Sequence, residues 1–155
     1  ALLQMALAAH EAGEAFTRTN VGYAHAIAHA LGCEYGITHG LANAMVLPEV
    51  LRWSRPACER QLADLARTID LDAVGLSNQQ LALQFIAWIE RLNRKLGIPA
   101  SISQLRSQDV SSLSRSALKE ARFAYPVPRL MNQKDCEALL RRLQTETNIS
   151  EGLSS

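Results

Sequence analysis

Three of the four histidines of this 155-residue chain, His25, His29 and His39, fall within fifteen positions. They sit in the run AHAIAHALGCEYGITHG. His25 and His29 are four residues apart, on one face of a helix. Their neighbours Ala24, Ala26, Ile27, Ala28, Ala30 and Leu31 are apolar. An imidazole on such a surface needs a hydrogen-bond partner or a metal, because burying it alone costs a few kcal/mol. A lone histidine there is usually a core residue bonded to a carbonyl. Three in this setting point to a metal or to acid–base chemistry. Helical spacing alone pairs His25 with His29. The loop through Gly32 and Gly36 could also turn the chain so that His39 faces the same space. Position 26 is alanine, so the zinc-protease pattern HExxH, with its general base between two ligands, is excluded. The nearby carboxylates are Glu34 and Glu49, and neither has a spacing that obliges it to reach the histidines. The ligand inventory is one or two short of a closed site. His10, beside Glu11 and Glu14, reads as a polar-face residue.

The elements that must position these rings read as helices. Residues 1–15 form the first. Asn20 is a candidate N-cap for a second over 21–31, closed by Gly32. A third starts near His39–Gly40 and is broken or kinked by Pro48. A short piece continues to Trp53, and another runs from Pro56 to Ile69. Ser77 and Gln80 form a capping box for 77–96, with Leu81, Phe85, Ile89, Leu92 and Leu96 as its apolar face. Gly97-Ile98-Pro99 ends it. A helix from Asp109 to Phe123 carries Leu113, Ala117, Leu118 and Ala121. A loop over 124–131 follows, and Asn132 with Asp135 opens the last helix, which turns Cys136, Leu139, Leu140 and Leu143 inward. No strand pattern is convincing, so the expected fold is all-α, a bundle of about seven helices over residues 1–145. Residues 146–155 read as a disordered tail.

Composition narrows the partners. The formal net charge is +1, from 16 basic and 15 acidic residues, which leaves no polyanion-binding footprint and argues against nucleic acid. No uninterrupted apolar run reaches about 18 residues, so no membrane span is expected. The three cysteines are scattered, as in a reducing, cytoplasmic compartment. Only five charges, Glu11, Glu14, Arg18, Glu34 and Glu49, fall in residues 1–50, against 26 in the rest. Ala1–Ala9 is apolar almost all round, and a helix of that kind is expected to lie buried in a larger body.

The run Gly22-Tyr23-Ala24-His25-Ala26-Ile27-Ala28-His29-Ala30-Leu31-Gly32, followed by His39-Gly40-Leu41-Ala42-Asn43-Ala44 and Leu47-Pro48-Glu49-Val50, resembles the signature of the iron-containing (group III) alcohol dehydrogenases. Ala12-Gly13-x-Ala15-Phe16 agrees just upstream, and the Leu96-Gly97-Ile98-Pro99 turn and Pro128-Arg129 agree more loosely. Thr38, where many relatives have proline, and Val127, where they often carry asparagine, depart from the pattern.

The resemblance implies a fold like the C-terminal domain of iron-containing alcohol dehydrogenases and dehydroquinate synthase-like proteins. It implies an oxidoreductase interconverting an alcohol and an aldehyde or ketone, with NAD or NADP as hydride carrier. It implies Fe(2+), or Zn(2+), held by His25 and His39 rather than by His25 and His29. His29 would be the catalytic residue beside the nicotinamide and would also contact that cofactor, and Phe16 would line the substrate pocket. An N-terminal NAD(P)-binding domain and an upstream Asp/His ligand pair belong to the family pattern and are not in these residues. The chain alone is therefore expected to turn over no alcohol, and the expected assembly is a homodimer. Maleylacetate reductases and glycerol dehydrogenases are close alternatives. A freestanding helical metal-binding or interaction module is the reading from another class.

Overall fold

The computed structural model describes residues 1–71, 73–122 and 125–145. Among the described residues, six α-helices make up the fold: α1 (Leu2–Thr19), α2 (Tyr23–Tyr35), α3 (His39–Thr68), α4 (Asn78–Lys95), α5 (Val110–Ala121) and α6 (Gln133–Arg142). A 3-10 turn, Ser107–Asp109, precedes α5. The one pairing of extended backbone among the described residues is an isolated parallel bridge between Ile102 and Gln144. The all-α expectation holds with six helices instead of about seven. Phe123, Ala124 and the expected tail at 146–155 lie outside the described residues.

The count falls because Pro48 does not interrupt α3. A proline inside a helix leaves the carbonyl four residues earlier without its donor. Here that carbonyl, on Ala44, accepts from Asn93 Nδ2 at 2.7 Å, so α4 supplies the missing hydrogen bond. The departure from helical geometry comes at Cys58, with φ −142°, two residues after Pro56. Gly32 does not end α2 either. The helix runs on to Tyr35 and stops at Gly36, whose φ of +66° is the left-handed conformation that favours glycine. Asn20 is the C-cap of α1 instead of the N-cap of α2, a role taken by Gly22.

Both capping boxes form as expected. Ser77 pairs reciprocally with Gln80 at the start of α4, and Asn132 with Asp135 at the start of α6. The inward face of α4 is rotated from the expected one. Leu81, Ala82 and Ile86 are buried, whereas Leu92 and Leu96 are exposed. The main core joins α2, α3, α5 and α6 through Ile27, Leu31, Val46, Leu105, Val110, Leu139 and Leu140. α4 packs on α3 through two smaller clusters around Leu62 and Ala66.

α1 buries no residue, and Leu2, Leu3, Met5, Leu7 and Phe16 are exposed. Within these residues, then, the apolar opening helix is not core, which agrees with the expectation that only a larger body would bury it. The core share of the charge-poor first third belongs to α2 and the start of α3.

The 3-10 turn is pinned across the molecule. Tyr35 donates its hydroxyl proton to Asp109 Oδ2 at 2.7 Å, and Arg106 Nε donates to the same oxygen at 2.6 Å. Burial pushes the Asp109 carboxyl up, but these two donors and the guanidinium charge outweigh it and hold it below the usual carboxylate value. The folded chain thus binds that proton less readily than the unfolded chain. The stabilisation is present above the ordinary aspartate range and drains away as pH falls through the lowered value. Asp109→Asn is expected to flatten the acid limb of a stability–pH profile measured by urea denaturation. An unchanged acid limb would contradict this.

Candidate metal and proton-transfer site

His25 and His29 project from α2, and His39 is the first residue of α3 after the extended Thr38. The α2–α3 connection folds back tightly. A Cβ at Gly32 would sit 3.2 Å from the Ile37 carbonyl oxygen, closer than a side chain usually tolerates. Gly32 is therefore needed for close approach, which is a different reason from helix termination. That approach brings the rings together. The centroids of His25 and His39 are 5.3 Å apart, those of His29 and His39 5.0 Å, and those of His25 and His29 6.2 Å.

His25 and His39 line an open cleft of about 640 Å³. Phe16, Tyr23, Leu47, Val50 and Pro126–Pro128 give it mainly apolar walls. Phe16 lies 6.3 Å from His25, centroid to centroid, so α1 contributes to the cleft although none of its residues is buried. The wall at Val127 is held from two sides. Arg129 donates to the Trp53 carbonyl at 3.0 Å and lies over the Trp53 ring, and the Met131 N–H donates to the Tyr23 hydroxyl at 3.0 Å.

Burial lowers the pKa of His25, and the neighbouring His39 and His29 lower it further, against a smaller upward pull from Glu120. Its ring is thus favoured in the neutral state, with a lone pair for a ligand or a proton. His39 touches Asn43, one helical turn on. The Asn43 amide nitrogen donates to the His39 carbonyl at 3.1 Å, while its buried Oδ1 has no hydrogen-bond partner.

His29 is exposed, and its Nδ1 lies 2.8 Å from Glu120 Oε1 on α5. Tyr125 donates to the same oxygen at 2.5 Å. Sequence reading did not find this carboxylate. The two it considered are engaged elsewhere: Glu49 with Arg52 and Arg142, and Glu34 with Arg106 at 3.7 Å. His10, on α1, lines a separate depression with Thr17 and Arg18.

A divalent ion is held by imidazole at about 2.0–2.1 Å in a four-coordinate shell. Two imidazoles with centroids 5.3 Å apart suit half of such a shell. Among the described residues, no group of three or more His, Cys, Asp or Glu side chains is arranged to hold a metal ion. The imidazoles of His25 and His39 are donors of a kind that suits a divalent metal.

Residues 2–144 match the family described as Fe-containing alcohol dehydrogenase family, C-terminal. The chain is 38% identical over 140 residues to 1,3-propanediol dehydrogenase of Klebsiella pneumoniae, covering 89% of this chain and 36% of that protein. It is 32% identical over 119 residues to lactaldehyde reductase of Escherichia coli K12, covering 76% of this chain and 31% of that one. The solved structure of an alcohol dehydrogenase from Oenococcus oeni superposes with a TM-score of 0.79 at 32% identity, over 85% of this chain and 35% of that one. A 1,3-propanediol oxidoreductase structure gives 0.76 at 36% identity, over 80% and 33%. The chain thus spans about a third of the length of these relatives. Among the described residues, no helix is long and apolar enough to cross a membrane.

Proposed function

Because the chain belongs to the Fe-containing alcohol dehydrogenase family, matching its C-terminal part, we propose that residues 1–145 are the metal-bearing helical domain of an oxidoreductase that interconverts an alcohol with its aldehyde or ketone using NAD or NADP. The observation that carries this reading is the convergence of His25 and His39 on the wall of one cleft. In the longer protein an N-terminal cofactor-binding domain would close that cleft from the other side.

His25 and His39 would hold Fe(2+), with Zn(2+) an acceptable substitute for imidazole ligands. When bound, such an ion supplies Lewis acidity that makes an alcohol hydroxyl easier to deprotonate. The hydride chemistry belongs to the nicotinamide. The chain's own residues do the rest. Burial keeps His25 neutral and able to ligate. Phe16, Leu47, Val50 and Val127 offer the substrate's carbon skeleton an apolar wall and keep water from it. Oxidation releases one hydroxyl proton for each hydride lost from carbon, and His29, stacked 5.0 Å from His39, is placed to take that proton. Its stacking on His39, which lines the cleft, supports a contact between His29 and a nicotinamide bound there. The exposed apolar residues of α1 support association with a second copy, and the assembly is proposed to be a homodimer in the cytoplasm.

Paramagnetic Co(2+) tests the ligand pair without requiring turnover. Titrated into the chain, it is expected to broaden the imidazole NMR signals of His25 and His39 together, well before those of His10. Equal broadening at all four histidines would overturn the reading.

A further inference from the structure

The Glu120–His29 contact joins two helices and two residues that are 91 positions apart. An ionised carboxylate can only accept hydrogen bonds. At 2.8 Å, the His29 Nδ1 must therefore be the donor and carry the proton. In the neutral ring this leaves the lone pair on Nε2. We infer that Glu120 is a positioning residue that fixes the tautomer and ring orientation of His29, so that Nε2 is the nitrogen left available to exchange a proton. The inference rests on the proposed role of His29 in proton transfer.

Glu120 is itself held in place. Tyr125 donates to the same Oε1 that accepts from His29, so the carboxylate is clamped between α2 and the segment after α5. Burial pushes the Glu120 carboxyl up, but the hydrogen bonds from Tyr125 and His29 prevail and keep it below the usual carboxylate range. Burial and the Glu120 contact raise Tyr125 to about 12, so its hydroxyl keeps its proton and remains a donor. The clamp thus has one acceptor and two committed donors. Its direction is set, and only the far nitrogen of His29 is left to vary. A simple staple between α2 and α5 would need neither the Tyr125 donor nor a particular ring nitrogen.

Two measurements test this. Long-range 1H–15N spectra of histidine-labelled chain, recorded where the rings are neutral, are expected to show His29 protonated on Nδ1. This is the opposite of the Nε2–H form that a free histidine side chain prefers. Glu120→Ala is expected to return His29 to the Nε2–H form, and Glu120→Gln, which restores an acceptor of the same length, to recover the Nδ1–H form in part. Finding wild-type His29 in the Nε2–H form would overturn the inference whatever the variants do. In the longer enzyme, Glu120→Ala is expected to lower kcat about tenfold or more while leaving KM within about twofold, as for weakened proton transfer. If His29→Ala lowers kcat but Glu120→Ala does not, the inference about Glu120 fails and the role of His29 stands. If His29→Ala leaves kcat unchanged, the role of His29 itself is wrong.

Discussion

Replacing His39 with alanine is expected to weaken divalent metal binding by the longer enzyme more than about 100-fold and to reduce turnover at least as much. Loss of a mere outer-shell partner of a metal ligand already costs about 10–100-fold, and His39 is proposed to be a ligand itself. The effect has a clean structural reading because the side chain is exposed at the first turn of α3. The ring contributes little to the core, so folding should survive and lost function can be assigned to the site. Metal content after gel filtration, measured together with kcat, checks this. Undiminished metal in a folded His39→Ala variant would show that the ion is held elsewhere. His25→Ala is expected to behave similarly, with an additional stability loss because its ring is half-buried against Phe16.

Leu31→Ala is expected to cost about 2–5 kcal/mol of folding stability, the usual range for deleting a fully buried leucine side chain. Leu31 has no exposed surface and lies in the core joining α2 to α3, α5 and α6. It stands next to Gly32, where an added Cβ would sit 3.2 Å from the Ile37 carbonyl oxygen. A cavity here loosens the packing that lays His39 against His25. The site is therefore expected to lose metal affinity along with stability, although Leu31 lines no part of the cleft. Chemical denaturation gives the first quantity and metal titration the second. A loss below about 1 kcal/mol, with affinity unchanged, would mean that the connection is held by other contacts.

What could be read from the sequence followed from how local each feature is. The capping boxes at Ser77 and Asn132 need only residues three apart, and both form. The left-handed Gly97 after α4 is equally local. Pro48 failed as a breaker because Asn93, the compensating donor to the Ala44 carbonyl, lies 49 residues from Ala44 on another helix. The exposure of Leu92 and Leu96 has a similar origin. Periodicity marks an apolar stripe, but which side of α4 is covered depends on how it packs on α3, and the residues covered are Leu81, Ala82 and Ile86.

At the site, the three histidines and Phe16 were legible from motif and resemblance; Phe16, His25 and His39 line one cleft, and His29 stacks on His39 beside it. Glu120 and Tyr125 were not. Nothing in the spacing of α5 distinguishes Glu120 from an ordinary solvated glutamate. Only the packing of α5 on α2 brings it to His29.

The central claim is that the imidazoles at positions 25 and 39 share one metal ion. Anomalous diffraction from crystals of the longer enzyme grown with Fe(2+) or Zn(2+) tests it directly. The predicted result is a single strong peak about 2.0–2.1 Å from one nitrogen of each ring. A peak bound to neither ring, or to His25 and His29 with His39 turned away, would contradict the account.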